Sequence, residues 1–344
     1  MRVLVIQTAF LGDVVLTTPL LDTLRTQKPD AEIDIVVTPA GAQALDRHPS
    51  IRTLLVYDKK GRQKGFFGFI SLVRTLRRNR YSMALIPHRS MRSGMLAYFA
   101  GVPRRIGFDR SAARRWMTDV IEYRSQDHEI DRNLALLRPL GIGSPSLRFP
   151  SLRPQRSDRE AASALIRESG IAPGTFVAIA PGSVWNTKRW PWERYAELVR
   201  LFEHRGYPVV LVGGPDDADL CRRVLSAAEV RQSVSAAGRL TVLQSAALMG
   251  ESRALVTNDS APLHLASAMG IPVIAIFGAT SPSYGFGPRG PKDRIVETMG
   301  LSCRPCAIHG GDTCPVGTFE CMLRIDAEQV AAHVLGVIAD PLHR

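Results

Sequence analysis

Three stretches of this 344-residue chain put polar side chains where an apolar run gives way to a helical pattern. The first is Thr8-Ala-Phe-Leu-Gly12-Asp13. Gly12 lets a ligand approach the backbone closely, and the helix start behind it favours anions. Asp13 stands where loop meets helix, either as a helix cap or as a carboxylate base. The second stretch is Pro181-Gly-Ser-Val-Trp-Asn-Thr-Lys-Arg-Trp-Pro191. It offers Gly182, the hydroxyls of Ser183 and Thr187, and the cations Lys188 and Arg189, which is phosphate-binding chemistry without the Walker spacing. The third is Thr257-Asn-Asp-Ser-Ala-Pro-Leu-His264, where a strand ends and a helix begins at Asp259-Ser260. Free N–H groups of Ser260, Ala261 and Leu263, together with the helix dipole, suit a diphosphate, and Pro262 is tolerated in a first turn. The simpler alternative is an Asp or Ser N-cap, with His264 packed inside the helix.

A fourth constellation is Cys303-x2-Cys306-x7-Cys314-x6-Cys321. Four thiols at that spacing are compatible with a small structural zinc site, or with reduced cysteines packing an irregular loop. Cys221 stands apart on a helix and reads as core.

The charge is concentrated. Residues 59–115 hold fifteen Lys/Arg and one acid, Asp109, which accounts for the whole +12 of the chain. The remainder, residues 1–58 and 116–344, sums to −2. Such a segment is either a solvated basic surface or a site for a polyanion: nucleic acid, anionic lipid headgroups or an acidic glycolipid. The aromatics Phe66, Phe67, Phe69, Tyr81, Tyr98 and Phe108 do not alternate with the bases as a base-stacking surface would, and no nucleic-acid-binding motif is present. Gly65-Phe-Phe-Gly-Phe-Ile70 beside Lys59–Lys64 suits an amphiphile, or a buried turn.

Strands are predicted at residues 2–7, 31–38, 51–57, 83–87, 176–180, 209–212, 254–257 and 273–277. Helices are predicted at 13–26, 69–80, 158–169, 192–205, 217–228, 243–249, 260–269 and 327–338. Strands alternating with helices argue for doubly wound α/β domains with parallel sheets. A Pro- and Ser-rich linker at 143–158 divides the chain into domains at 1–150 and 158–325. Two such domains in tandem are expected to hold a ligand in a cleft at the carboxyl ends of their strands. No apolar stretch is long enough to span a bilayer. The apolar start breaks at Gly12-Asp13 without a cleavage site, so a cytoplasmic protein is expected.

Taken together, these segments resemble the ADP-heptose:lipopolysaccharide heptosyltransferases, glycosyltransferase family 9. The resemblance rests on Arg2-Val-Leu-Val-Ile-Gln-Thr-x3-Gly-Asp13, Pro181-Gly…Lys188-Arg-Trp-Pro191, Asn258-Asp-Ser-x2-Leu-His264, Pro272…Phe277-Gly-x-Thr-Ser-Pro282 and the cysteine loop ending Cys321-Met322. The cysteine loop is most like that of the second heptosyltransferase. After the Asp-Ser pair the family usually has glycine, where this chain has Ala261-Pro262.

The resemblance implies a GT-B fold of two Rossmann-like domains, an acceptor site in the first and a nucleotide-sugar site in the second. It implies that helix 327–338 returns to the first domain. It implies metal-independent, inverting transfer of heptose from ADP-heptose to the inner core (Kdo and heptose on lipid A) of lipopolysaccharide, with no cofactor. By motif position Asp13 is the base, Lys188 contacts the diphosphate, and Asp259, Ser260, Ala261, Leu263 and His264 form the phosphate turn with Gly182, Ser183 and Thr187. Asp216, or the neighbouring Asp217, falls near the family's ribose contact. Gly12, Arg62, Lys64, Arg89 and Arg92 are the expected acceptor contacts. The basic segment then meets an anionic glycolipid and the cytoplasmic face of the inner membrane, with no nucleic-acid partner and a monomeric enzyme.

Of three alternatives, two differ in class and one lies within the family. A nicotinamide-dependent oxidoreductase requires a G-x-G-x-x-G fingerprint, which is absent. A non-enzymatic polyanion binder explains the charge but not the recurrence of anion-binding turns in both halves. A related transferase would use another sugar or acceptor.

Overall fold

The computed structural model describes residues 1–143 and 149–339. The chain divides into two compact units, Met1–Arg153 and Pro154–Arg344. In the first, β1 (Arg2–Gln7), α1 (Leu11–Val15), α2 (Thr18–Gln27), β2 (Glu32–Val37), α3 (Pro39–Ala44) and β3 (Thr53–Val56) follow one another. Then come α4 (Gly65–Arg78), β4 (Met83–Ile86), α5 (Met91–Phe99), β5 (Arg104–Phe108), β6 (Asp119–Ile121) and α6 (Glu129–Ala135).

The second unit begins with α7 (Arg156–Glu168), β7 (Val177–Ala180), α8 (Trp192–His204), β8 (Val209–Leu211), α9 (Ala218–Ala228) and β9 (Val234–Ser235). It continues with α10 (Val242–Gly250), β10 (Leu255–Asn258), α11 (Ala261–Met269), β11 (Val273–Phe277), β12 (Arg294–Glu297), α12 (Glu320–Leu323) and α13 (Ala327–Ile338).

Each unit holds one parallel sheet, in the orders β3-β2-β1-β4-β5-β6 and β12-β11-β10-β7-β8-β9. Numbered within itself, each sheet runs 3-2-1-4-5-6, the Rossmann order. The strands are near-continuous apolar runs because helices cover both faces; Val3 to Ile6 and Val273 to Phe277 are fully buried. In this order the connections diverge between β1 and β4, and again between β7 and β10. A crevice opens at such a switch point, outside the carboxyl ends of the strands. The loops after those four strands are Thr8–Phe10, Pro87–Ser90, Pro181–Pro191 and Asp259–Ser260, so the chemistry-bearing segments fall at the switch points.

Several expectations are corrected. The helix predicted over 13–26 is two helices, because Pro19 has no N–H to donate to the Val15 carbonyl; the Thr18 hydroxyl takes that carbonyl instead, at 2.8 Å. The helix predicted at 69 begins at Gly65, which puts Phe66 and Phe67 on its first turn. Strands β5, β6, β9 and β12 are additions to the predicted set. β5 begins with two arginines, which read as exposed, and their charge is met by Asp119 and by the Trp116 carbonyl.

Of the linker, residues 144–148 lie outside the described residues. Beyond them, Ser151 bonds Thr18 and Asp22 and so belongs to the first unit, which ends at Arg153 rather than 150. The resemblance has helix 327–338 return to the first domain; the compact unit that α13 belongs to is the second. Val330, Ala331, Val334 and Ile338 of α13 enter the core of the second unit beside α8 and β11, with Leu198, Phe202 and Ile276. Its apolar stripe matches that core, and burying it there stabilises the second sheet.

Candidate active site

At the first switch point Asp13 lies in α1, partly buried, and its Oδ2 accepts the Phe10 N–H at 3.2 Å. The capping role is therefore real for one carboxylate oxygen. Across the crevice, the Thr8 hydroxyl lies 3.0 Å from His88 Nδ1, which is also 3.0 Å from the Ser93 hydroxyl. Burial, with Lys59 and Arg89 nearby, pushes the His88 imidazole down to about 4, so the ring is neutral at pH 7. Lys59 Nζ donates to the Thr8 carbonyl at 2.7 Å.

Beyond β6, the Tyr123 ring carries the Arg89 guanidinium at 4.1 Å and that of Arg132 at 4.7 Å. Arg132 donates to Glu129 at 2.8 Å in a buried pair. Burial pushes the Glu129 carboxyl up to about 7 against the pull of Arg132, and the charge of Asp13 adds to the rise. Asp13 and Arg89 are thus parts of one charged cluster. Arg92 donates to the Tyr57 hydroxyl at 3.1 Å. Arg62 and Lys64 are exposed on the loop after the edge strand β3, away from the switch point. Asp58 shapes that loop by accepting the Gly61 and Arg62 N–H groups, both at 2.9 Å.

At the second switch point Lys188 Nζ lies 2.6 Å from Asp259 Oδ2, which also accepts the Thr280 hydroxyl at 2.7 Å. The Lys188 side chain is 13% exposed and that of Asp259 9%, so both are held rather than solvated. Asp259 acts by holding Lys188; a carboxylate would repel a phosphate. Asn258, fully buried, ties the surrounding loop together. Its Oδ1 accepts the Trp190 N–H and the Tyr195 hydroxyl, each at 3.0 Å, while its Nδ2 donates to the Pro181 carbonyl at 2.9 Å.

Other expected phosphate contacts have structural partners. The Thr187 hydroxyl accepts the Gly311 N–H at 2.8 Å, and the Leu263 N–H donates to the Ser260 carbonyl at 3.1 Å. That leaves Ser260 and Ala261 to offer helix-start N–H groups. The Ser183 carbonyl accepts from Arg189 at 2.7 Å. Gly182 lies so near Asp217 that a Cβ there would fall 2.0 Å from its Oδ1. Asp217 Oδ2 accepts the Gly214 N–H at 2.9 Å, whereas Asp216 is exposed beside it. His264 is buried, and desolvation pushes it down to about 4 with Lys188 reinforcing and Asp259 opposing.

The cysteine loop lies against the segment that carries Lys188. Among the described residues no group of three or more His, Cys, Asp or Glu side chains is placed to hold a metal ion, and the cysteines are free thiols. Cys306 Sγ donates to the Cys303 carbonyl at 3.2 Å, and Cys321 is buried in the core. The loop braces Lys188. Thr187 N–H bonds the Gly311 carbonyl at 2.9 Å, and Asn186 bonds that of Asp312 at 3.2 Å. Gly310 takes φ +82° with its Cα against the Lys188 stem, where a Cβ would lie 3.0 Å from Cγ. Arg304 fixes the segment carrying Thr280, bonding the Gly278 carbonyl at 2.7 Å and the Thr280 carbonyl at 3.0 Å.

Two Rossmann-ordered units in tandem are the architecture of the GT-B glycosyltransferases. The chain belongs to glycosyltransferase family 9 (heptosyltransferase), whose family model matches residues 69–312. It is therefore a glycosyltransferase. Lipopolysaccharide heptosyltransferase 2 of Escherichia coli K12 is 28% identical over 309 residues, covering 87% of this chain and 88% of the relative. The structure of a family 9 glycosyl transferase from Veillonella parvula DSM 2008 matches with a TM-score of 0.85 at 27% identity, covering 98% of this chain and 97% of the other. That of E. coli ADP-heptose lps heptosyltransferase II matches with a TM-score of 0.79 at 24% identity, covering 98% and 99%.

Sequence reasoning missed Asn258 as a clamp, and also Thr280, Lys59, His88 and Glu129–Arg132. His88 sits at the carboxyl end of a predicted strand, a signal that becomes usable once β4 is known to lie beside β1.

Two outcomes follow from this geometry. Asn258→Ala strands a buried N–H, a hydroxyl and a carbonyl, and should destabilise the second unit by about 2–4 kcal/mol in urea unfolding; a loss below ~0.5 kcal/mol would show that the clamp is dispensable. The unfolded His264 takes a proton near its ordinary 6.5, while the folded one resists until about 4. The unfolded state therefore binds more protons in that window, and stability falls as pH drops from 6.5 to 4. His264→Gln should flatten the acid limb by roughly 3 kcal/mol between those limits; an unchanged pH profile would mean that the ring already titrates normally.

Proposed function

We propose that this glycosyltransferase is an inverting heptosyltransferase that takes heptose from ADP-heptose and gives it to the inner core of lipopolysaccharide. The observation that carries the reading is Lys188, held by Asp259, which Thr280 fixes in turn, at the start of α11 beside the Ser260 and Ala261 N–H groups. In the reaction the acceptor hydroxyl oxygen bonds to the anomeric carbon as that carbon's bond to the β-phosphate oxygen breaks. Asp13 takes the hydroxyl proton, and the electron pair leaves with ADP. Lys188 and the helix start meet the charge growing on the diphosphate, a donor of this kind contributing about 3–4 kcal/mol. This positive charge comes from the chain itself, so the proposal invokes no metal.

In this reading Arg89 and Arg92, with Arg62 and Lys64 further out, meet phosphates and carboxylates on lipid A and its Kdo sugars. The acceptor is a glycolipid, so the enzyme works at the cytoplasmic face of the inner membrane. No helix among the described residues is long and apolar enough to cross a bilayer. The names of the relatives and neighbouring structures support the donor and acceptor classes.

The test is Asp13→Asn. Turnover with ADP-heptose and a Kdo-lipid A acceptor, followed by mass spectrometry, should fall by roughly 10²–10⁴-fold while ADP affinity holds within about twofold. Turnover above about a tenth of wild type would remove Asp13 as the base.

A further inference from the structure

We propose that the outer face of helices α4 and α5 is a bilayer-docking surface, with Phe66 and Phe67 entering the acyl boundary of an anionic membrane. The inference rests on the first unit alone and deepens the membrane setting of the proposed function. Helix α4 buries Phe69, Leu72, Val73 and Leu76 against the sheet. Its opposite face should then be polar throughout. It is polar only in its last two turns, where Arg74, Arg77 and Arg78 are exposed. On its first turn Phe66 is 71% exposed and Phe67 86%. On the adjoining α5, Met91, Tyr98 and Phe99 are exposed, and the Phe99 ring lies 6.3 Å from Phe69 and 5.3 Å from Tyr98.

Arg104 pairs with Asp119, but the cations on the outer face of α4, Arg74, Arg77 and Arg78, form no ion pair among the described residues. Residues 59–108 contain twelve Lys/Arg and no Asp or Glu. The acids that bound the segment are engaged elsewhere: Asp58 with the Gly61 and Arg62 N–H groups, Asp109 with the Arg110 and Tyr123 N–H groups. A helix with aromatics at one end and arginines along the rest of one face suits the plane of a membrane interface. There the rings sink below the headgroups while Arg74, Arg77 and Arg78 stay among the phosphates, about 10–18 Å further along the axis.

Two other occupants fit less well. A two-fold contact between copies of this chain would set the same unneutralised cations against each other. A nucleic acid would want aromatics spaced to take successive bases, whereas the Phe66 and Phe67 rings meet edge to face at 6.1 Å.

The experiment is sedimentation of the full chain with vesicles, in the absence of acceptor and nucleotide. One set is phosphatidylglycerol with phosphatidylethanolamine, the other phosphatidylcholine alone. Binding should be confined to the anionic vesicles and weaken with salt. Phe66→Ser/Phe67→Ser should lower the partition coefficient by about tenfold or more, as should Arg74→Glu/Arg78→Glu. Both variants alter exposed side chains, so Tm and turnover on a deacylated, water-soluble acceptor should match wild type. Equal binding to both vesicle types, no binding to either, or wild-type partition by the phenylalanine variant would each overturn the proposal. So would self-association, or a DNA complex tighter than the vesicle complex, that the phenylalanine variant abolishes. Because the vesicle assays contain neither substrate, the binding results are independent of whether the transfer reaction itself is correctly assigned.

Discussion

The ion pair between Lys188 and Asp259 is the constraint around which the second unit is arranged. Withdrawing both groups from water is costly, and the attraction between them offsets that cost only where geometry is tight and further hydrogen bonds are made. Asp259 meets the condition by accepting from Thr280 at 2.7 Å as well as pairing with Lys188 at 2.6 Å. Each participant is in turn fixed by something else. Asn258 fastens the loop on either side of Lys188 to the end of β10, Gly310 and Gly311 brace it from outside, and Arg304 holds the segment that supplies Thr280. A pair of apolar residues would fill this volume at less cost. Its retention makes sense if the ammonium must be ready for an anion at the start of α11.

The two units solve the same topological problem and then differ in chemistry. Both sheets run in the Rossmann order and both put their working loops at the switch point. In the second unit that place holds a fixed cation and helix-start N–H groups, which suit a leaving diphosphate. In the first it holds Asp13 near a cluster in which Arg132 donates to Glu129 and two guanidiniums flank Tyr123. A carboxylate near arginines can take a proton from a bound hydroxyl while the arginines meet an anionic acceptor. The basic segment then extends this anion-seeking character outward from Arg89 to the exposed face of α4.

Much of this is legible in the sequence because the strands are buried on both faces and the helices carry regular apolar stripes. The runs at 2–7 and 273–277 coincide with β1 and β11, and the turns after apolar runs place Asp13, Lys188 and Asp259 near strand ends, while the role of each rests on the family resemblance. What is not legible depends on partners distant in the chain. Arg104 looks like a surface residue until Asp119 is seen beside it, and β5 escapes recognition for that reason. Thr187 looks like a phosphate hydroxyl until Gly311, 124 residues away, takes it. The destination of α13 follows from which core its stripe fits, and the cysteine spacing cannot say whether four thiols converge. Pro19 can be read directly: its missing N–H splits the first helix.

The most direct test of the account is calorimetric titration of ADP into the purified chain and into Lys188→Ala, without added metal. The account predicts saturable ADP binding to the wild type, weakened in the variant by roughly 10–100-fold, as expected for losing one charge-assisted contact to a phosphate. Binding of equal strength in both proteins, or none in the wild type, would contradict it.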